Sequence, residues 1–265
     1  MKTTTLISSA LLFTAKSVLA NNPIPDSAFS QNNGIAAAQA AAPAWFMASG
    51  TCMPSAAEDG QGHQTNGVDT DNCNINKLSN GCPPQPSWQG ANTFYGNIAG
   101  EPFSNIPTYY NVVKCGNQWK IIYYVYFKKD TGHKSDWEGV VIAFNDQGGG
   151  SWTRTNMAME QDGSHPWVDW DKINDTFDNN DDFTNWGQKS RDHPKVYFGK
   201  WHHSAHIDWH TTTFKNTCPP NSGDDFRNAD YQFKAVDNLR HVTVLNPNWA
   251  WGKASSPVNI DVCKF

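Results

Sequence analysis

The chain has 265 residues, 13% of them aromatic and 17% charged, and a formal net charge of −5. This acidic balance argues against a nucleic-acid-binding protein, which needs basic patches, and against attachment to anionic lipid by charge alone. Neutral headgroups, sugars and metal ions remain as partners that the composition allows.

Residues 1–20 have the pattern of a secretory signal peptide. Lys2 gives a positive start, residues 6–15 are mostly apolar, and residues 18–20 (VLA) suit a signal peptidase. The apolar run is shorter than the roughly 20 residues that span a bilayer, so a membrane anchor is the weaker interpretation. We therefore predict a secreted, extracellular protein whose mature form has no membrane-embedded part.

The cysteine pattern indicates disulfides. Six cysteines in an exported chain predict a framework of bridges, and none of them has the CxxC spacing of zinc–thiolate sites. The sequence leaves their pairing open. The six are Cys52, Cys73, Cys82, Cys115, Cys218 and Cys263.

In chain order, residues 21–44 are predicted to be a loose N-terminal segment that precedes a single domain over residues 45–265. Within that segment the alanine-rich residues 35–42 favour a short helix ended by Pro43. Residues 51–88 are rich in Gly, Asn, Asp and Pro and contain three cysteines, which is typical of a disulfide-stapled loop.

The next elements are predicted strands. Residues 119–127 (WKIIYYVYF) are apolar on both faces, which favours a central strand, and they form a hairpin with residues 137–144 through a turn at 130–134. Further strands are predicted at 152–160, 195–199, 203–208 and 241–245. Leucine is rare after residue 20, whereas twelve tryptophans are present, so we expect an aromatic, sheet-based core. The predicted fold is mainly β, an antiparallel two-sheet sandwich with a few short helices and long loops.

The hairpin turn carries the clearest candidate site. Asp130, His133, Asp136 and Glu138 fall within nine residues. At i and i+2 on a strand, Asp136 and Glu138 point to one face, and Trp137 points the other way, into the core. Three carboxylates and one imidazole suit Mg²⁺ or Ca²⁺. Ordinary surface charges, or a glycosidase acid–base pair formed by Asp136 and Glu138, are the alternatives.

A second polar cluster lies at residues 201–210 (WHHSAHIDWH). If this segment is a strand, alternate side chains share one face and favour either a softer Zn²⁺ or Cu²⁺ site or a polar sheet face beside the first site. Those side chains are His202, Ser204, His206, Asp208 and His210.

Several tryptophans lie in polar loops, among them Trp167, Trp170 and Trp186. Tryptophan stacks on sugars and sits at lipid headgroups, and it also caps cores beneath long loops, so both interpretations stay open. Residues 174–176 (NDT) form a glycosylation sequon for a eukaryotic source.

Residues 132–138 (GHKSDWE) resemble the GHRHDWE heptapeptide of the necrosis-inducing NPP1 family, the Nep1-like proteins. The similarity extends over most of residues 45–263, including 123–130 (YYVYFKKD), 170–177 (WDKINDTF), 193–197 (HPKVY) and 251–257 (WGKASSP). By these segments the chain is identified as a divergent, fungal-type member.

The resemblance implies a sandwich like that of actinoporins and some fungal lectins, with a divalent cation held by Asp130, His133, Asp136 and Glu138. Members are secreted by plant-associated microbes, and many bind sugar headgroups of sphingolipids on plant plasma membranes and cause leakage and necrosis. We therefore expect a monomeric, non-enzymatic, toxin-like effector that binds glycosylated lipid headgroups in a cation-dependent way and lyses plant membranes. A non-cytolytic, lectin-like glycan-binding protein and a metal-dependent hydrolase are the alternatives.

The chain also departs from the family motif. Lys134 replaces an arginine, Ser135 stands where a second histidine is usual, and the loop before His133 is short. Asp162 aligns where the family has a further histidine, and His165 follows three residues later. Lys134, Ser135, Asp162 and His165 are the candidate headgroup-binding residues, and the departures favour the non-lytic alternative.

Overall fold

The structure is a computed structural model that describes residues 21–70, 74–86, 106–178, 187–209, 212–213, 224–225 and 227–265. The predicted signal peptide, Cys73, Trp186, His210 and Cys218 lie outside the described residues. Among the residues described, no helix combines the length and the apolar character that crossing a bilayer requires.

The described chain forms fourteen β-strands and two short α-helices. The helices are α1 (Asp26–Ser30) and α2 (Ile35–Ala41). The strands are β1 (Ile24–Pro25), β2 (Ala44–Met47), β3 (Thr108–Cys115), β4 (Gln118–Lys129), β5 (Lys134–Asp146), β6 (Ser151–Met159), β7 (Trp167–Asp169), β8 (Thr176–Phe177), β9 (His193–Phe198), β10 (Ala205–His206), β11 (Thr212–Thr213), β12 (Asp224–Asp225), β13 (Tyr231–Lys234) and β14 (Leu239–His241).

Two larger sheets build the fold, which confirms the predicted mainly β, two-sheet architecture. The first has the order β1-β6-β5-β4-β3-β14 with β7 attached to β6, and the second has the order β10-β9-β2-β13 with β8 attached to β9. The predicted hairpin is the antiparallel β4–β5 pair at the centre of the first sheet. The sheets are mixed, because β14 pairs with β3, and β2 with β9, in parallel.

Strand β4 is apolar on both faces because each face packs against a separate cluster. Alternate residues such as Tyr123 and Phe127 join the core between the sheets, which the second sheet supplies with Trp45 and Val196. The residues between them, including Tyr126, enter another cluster on the outer face of the first sheet. The near-continuous apolar run therefore indicates a central strand, as predicted.

The C-terminal segment covers that outer face. Trp251 and Val262 are buried there against the aromatic side chains of β4 and β5. A disulfide between Cys115 and Cys263 ties the end of the chain to β3, and Lys120 donates hydrogen bonds to two carbonyl oxygens of the same segment. The first sheet is thereby covered on both faces.

The second described disulfide joins Cys52 to Cys82, 30 residues apart. It closes the segment that we predicted to be a stapled loop, whose described residues contain one short 3-10 helix, Ile75–Lys77, and none of the strands named above. The described cysteines confirm the prediction that this chain forms disulfides.

Residues 21–44 are folded, contrary to the expectation of a loose segment. Ile24 pairs with Trp152 of β6, and Phe29 stacks on Trp119 with ring centroids 5.4 Å apart. The short alanine helix forms as predicted and buries one face in the core. It ends at Ala41 because the residue before Pro43 is forced out of the helical region.

Two strand predictions in the second half need correction. Residues 241–245 were expected to be a strand, but β14 ends at His241 and a 3-10 turn follows over Val242–Val244. Of residues 203–208 only Ala205–His206 pair as a strand. His203 has a φ of 55°, which breaks the extended backbone just before them.

Candidate functional site

A pocket of about 830 Å³ opens at the turn end of the β4–β5 hairpin. This volume is in the range of small-molecule binding sites. Its walls come from the hairpin, from the turn after β6 and from the C-terminal segment. The acidic and imidazole side chains in its lining include Asp130, His133, Asp136, Glu138, Glu160, Asp162, His165 and His202.

Asp130 closes the hairpin turn. Its Oδ1 accepts hydrogen bonds from the backbone N–H groups of Gly132 and His133, while Oδ2 lies 3.6 Å from His133 Nε2. His133 Nδ1 donates to the carbonyl of Ser135 at 2.9 Å, which leaves Nε2 facing Asp130. The turn therefore brings the first two predicted ligands together.

Acidic side chains outnumber basic ones around this turn. Burial, reinforced by the charge of Asp136, raises the pKa of Asp130 to about 6, although His133 opposes the rise. Burial lowers the pKa of His133, but the carboxylates of Asp136 and Asp130 outweigh it and raise that pKa above its ordinary value. The imidazole thus responds to an excess of negative charge around it.

Asp136 and Glu138 lie on one face of β5, as predicted, and are 3% and 4% exposed. They stand opposite Phe127 and Val125 of β4. Trp137 points to the other face, where it packs against aromatic rings of the outer cluster. The alternation of β5 thus directs two carboxylates to the pocket and an indole to the apolar side.

His203 holds Asp136 in place. Its Nδ1 lies 2.9 Å from Asp136 Oδ2, and its ring stacks on Phe127 at 3.8 Å. Its Nε2 lies 3.0 Å from Thr51 Oγ1, whose single hydrogen is donated to the carbonyl of Lys200. His203 therefore bridges Asp136 and Thr51 by hydrogen bonds, which fixes the position of the Asp136 carboxyl group.

Glu160 is a site residue that the sequence analysis missed as a candidate. It follows β6 and lies beside β5, since its N–H donates to the carbonyl of Gly139. Glu160 and Glu138 are 8% and 4% exposed, their carboxyl groups lie in hydrogen-bonding reach of each other, and Oε2 of each has no hydrogen-bond partner. The available signal was its position at the end of a predicted strand next to the hairpin.

Among the residues that the structure describes, no opposite charge balances this glutamate pair. Burial raises the pKa of Glu138 well above its ordinary value, and Glu160 adds to the rise. Burial also raises the pKa of Glu160. Two carboxylates this close are both ionised only when a cation lies between them, and otherwise share a proton.

In the described part of the chain, no three His, Cys, Asp or Glu side chains are grouped tightly enough to form a ready-made metal site. The polar side chains of the pocket stand in pairs: Asp130 with His133, Asp136 with His203, and Glu138 with Glu160. An ion would need to draw these pairs together by side-chain rotation.

Proteins similar to this chain were found by three-dimensional structure and not by sequence. No protein-family model matches the chain, and no curated protein matches it in sequence. The solved structure of the non-toxic protein HaNLP3 matches with a TM-score of 0.50 and 18% identity, over 85% of this chain and 86% of that one.

Two other solved structures match at similar levels. NLPPya in complex with glucosamine has a TM-score of 0.51 and 15% identity, over 90% of this chain and 88% of that one. A structure described as a toxin fold as basis for microbial attack and plant defence has a TM-score of 0.51 and 13% identity, over 92% of each chain. This chain has the fold of the Nep1-like proteins. The resemblance read from residues 132–138 is thus confirmed at the level of the fold.

The two residues at which the chain departs from the Nep1-like heptapeptide do not line the pocket. Ser135 is buried beneath the hairpin, where its Oγ hydrogen-bonds the hydroxyl of Tyr126 at 3.0 Å. Lys134 is exposed and lies 3.4 Å from Asp69. Neither belongs to the pocket lining, so the structure does not bring these two candidate headgroup-binding residues to the pocket.

The other two candidates do line the pocket. Asp162 is exposed on the turn after β6, with a φ of 54°. His165 is partly buried, with Nε2 3.0 Å from the hydroxyl of Tyr124 and its ring stacked on Phe265 at 4.0 Å. Burial lowers the pKa of His165. Asp162 is therefore available at the rim, whereas His165 forms part of the wall.

The histidines of residues 201–210 do not gather into a second site within the described residues. His202 Nε2 lies 2.8 Å from Thr131 Oγ1 at the pocket edge, while His206 Nε2 lies 3.2 Å from Ser204 Oγ. With His203 bound to Asp136, these side chains support the first site, as in the polar-face interpretation.

The loop tryptophans differ from one another. Trp170 is buried and donates its indole N–H to the carbonyl of Arg191, so it caps the core. Trp167 is 37% exposed, with the ammonium of Lys120 5.2 Å from its ring centroid. Asn174 of the sequon is exposed.

Proposed function

We propose that the protein is a divergent, secreted Nep1-like effector that binds a divalent cation in the pocket and uses it to hold the sugar headgroup of a glycosylated plant sphingolipid. The single observation that carries this proposal is the meeting of four buried acidic side chains in one open pocket. They are Asp130, Asp136, Glu138 and Glu160. No covalent bond is broken in this function, so the protein is not an enzyme.

The donors present suit Mg²⁺ or Ca²⁺. Both ions prefer carboxylate oxygens, and a single imidazole is compatible with either. Asp130, His133, Asp136 and Glu138 would hold the ion, and the unpartnered Oε2 of Glu138 supports this fit. Once bound, such an ion coordinates sugar hydroxyl or carboxylate oxygens, while the side chains orient it and keep it at the pocket end of the sheet.

A sugar is the partner that the pocket walls favour. Trp249, which is only partly buried, lines it, and indole rings stack on sugar faces. Of the proteins that share the fold, NLPPya was crystallised with glucosamine and with mannosamine. The net charge of −5 disfavours attraction to anionic lipid, which leaves the sugar headgroup as the feature recognised.

A non-lytic, lectin-like role is the second candidate. HaNLP3 shares the fold and is described as non-toxic, so the fold alone does not determine lysis. In this chain, burial of Ser135 removes from the pocket the position at which the family motif carries a second histidine. Under this alternative the cation and the sugar are bound, but the membrane stays intact.

Dye release from vesicles containing glycosylated plant sphingolipid, with parallel co-sedimentation, tests both candidates. We expect calcium-dependent binding that EDTA and Asp136→Ala abolish, because both remove the ion that holds the sugar. Asp171→Asn is the matched control, since Asp171 is 65% exposed and lies outside the pocket lining.

The outcomes separate the candidates. Binding with dye release supports the lytic effector, and binding without release supports the lectin-like role. A correctly folded Asp136→Ala protein that binds and lyses the vesicles as the wild type does contradicts both, as does wild-type binding that is unchanged in EDTA.

A further inference from the structure

We infer that Glu160 is an additional ligand of the cation site and that it makes the pocket select Ca²⁺ over Mg²⁺. The inference rests on the proposed cation site and adds a residue that lies outside the heptapeptide segment. Its basis is the pair of carboxyl groups that Glu160 forms with Glu138.

The geometry prepares Glu160 for this role. Its Oε1 accepts the backbone N–H of Gly163 at 2.7 Å, which fixes the side chain and leaves Oε2 without a partner. Glu138 Oε2 is equally without a partner, and both side chains are more than nine-tenths buried and line the pocket. A buried acceptor without a donor costs free energy unless a ligand satisfies it.

Glu160 adds a donor from a further strand to the side chains that line the pocket. Asp130 and His133 come from the hairpin turn, Asp136 and Glu138 from β5, and Glu160 from the end of the neighbouring β6. The four ligands proposed above all come from one hairpin. A ligand from the end of β6 adds a donor on a second side of the pocket. Once side-chain rotation draws the pairs together, the larger set would hold an ion from two directions.

Ligand number distinguishes the two cations. Ca²⁺ takes about 6–8 oxygen ligands in flexible geometry, whereas Mg²⁺ keeps several waters and is held by about one or two carboxylates. Four acidic side chains, each able to bind through one or two oxygens, exceed what Mg²⁺ uses. Glu160 therefore adds affinity for Ca²⁺ and little for Mg²⁺.

Isothermal titration of the full-length mature protein with CaCl₂ and with MgCl₂ tests the inference. We expect Glu160→Gln to weaken Ca²⁺ binding by about tenfold or more, the scale of loss for residues that support a metal site. Mg²⁺ binding should change by less than about threefold. Gln retains the acceptor for Gly163, so the loop is preserved, and Asp171→Asn removes an equal charge at a residue that does not line the pocket.

Tb³⁺ luminescence supplies an independent readout. Tb³⁺ replaces Ca²⁺ at oxygen-rich sites, and the indoles of Trp137 and Trp251 in the pocket lining can sensitise its emission. We expect sensitised emission from the wild type and from Asp171→Asn, and a right-shifted titration for Glu160→Gln.

The results that overturn the inference are distinct from those that overturn the proposed function. If Glu160→Gln binds Ca²⁺ as tightly as the wild type while Asp136→Ala loses it, the glutamate pair holds a shared proton only and the cation site stands without Glu160. If the wild type binds neither ion, both proposals fail. Circular dichroism confirms that each variant is folded before titration.

Discussion

Arg154 and the glutamate pair of Glu138 and Glu160 are all nearly fully buried, but they differ in what surrounds them. The guanidinium of Arg154 lies 3.0 Å from the carboxylate of Asp192 and donates to the side chain of Asn21. It also donates to the carbonyls of residues 22 and 40. Each glutamate, by contrast, faces another acid and keeps one bare oxygen.

This difference in surroundings indicates that Arg154 has a structural role and that the glutamate pair has a functional one. Arg154 is neutralised by Asp192, and its two terminal nitrogens donate to protein oxygens, with Nε alone left unpartnered; it ties the N-terminal segment to β6. Within the described residues the glutamates face no opposite charge, and Oε2 of each lacks a partner, although Oε1 of Glu160 accepts the N–H of Gly163. Buried polar groups that a fold leaves unsatisfied are found where a ligand completes them. The experiments below test this contrast in order of expected effect.

Removing the charge of Arg154 should have the largest effect on stability. Arg154→Met leaves the neighbouring carboxylate and carbonyl groups without their donor, and loss of one partner of a buried ion pair costs about 3–5 kcal/mol. We expect the free energy of unfolding, measured by urea titration, to fall by that amount. Met fills much of the volume of the arginine stem, so the loss reports on the polar contacts.

The control is an exposed ion pair. Lys172 lies 3.4 Å from Asp171, and both side chains are about two-thirds exposed. Lys172→Met should change stability by less than about 0.5 kcal/mol. Equal losses for the two variants would show that Arg154 has no special place in the fold.

The sequence was informative where the structure is local. Residues 119–127 and 137–144 predicted the hairpin, and the i, i+2 spacing of Asp136 and Glu138 predicted that both carboxylates face one side. These features depend only on strand periodicity and a short turn, so the residues themselves carry the information.

The rest of the site depends on contacts between distant segments. His203 reaches Asp136 because its own φ is positive, and Thr51 fixes it from 152 residues away. Glu160 joins Glu138 only through the register of β5 and β6. No local sequence pattern predicts these long-range contacts. The same reason explains why residues 21–44 seemed loose, since their partners lie in β3 to β6.

Asp130 should make the ion-free protein less stable as the pH rises. Its pKa is raised from 3.8 to about 6, so the folded state holds the proton more tightly than the unfolded chain does. Stability is then lost between about pH 4 and pH 6. Asp130→Asn, which keeps the acceptor of the turn, lacks this loss. In EDTA the variant should gain about 2 kcal/mol on the wild type over that interval.

Comparing the two proteins separates Asp130 and its immediate neighbours from titrating groups elsewhere in the fold. Burial lowers the pKa of His193 to about 4, so that residue acts in the opposite direction, with stability lost as the pH falls from about 6.5. The contribution of His193 is present in both proteins and cancels in the difference. Urea titrations at pH 4, 5, 6 and 7 measure the difference in the free energy of unfolding between Asp130→Asn and the wild type. If that difference does not change with pH, the raised pKa of Asp130 is contradicted.

The smallest effect is expected at a neutral pair in the same pocket. Burial keeps the pKa of Tyr124 well above its ordinary value, and its hydroxyl bonds Nε2 of His165. Tyr124→Phe should cost about 1 kcal/mol in stability, the usual net contribution of one hydrogen bond. Because the hydroxyl is already engaged with an imidazole, Ca²⁺ affinity by titration should stay within about twofold of the wild type. If Tyr124→Phe instead loses as much Ca²⁺ affinity as is expected for Glu160→Gln, Tyr124 is itself a ligand. Unpartnered glutamate oxygens would then not be what separates the cation ligands from the other residues that line the pocket.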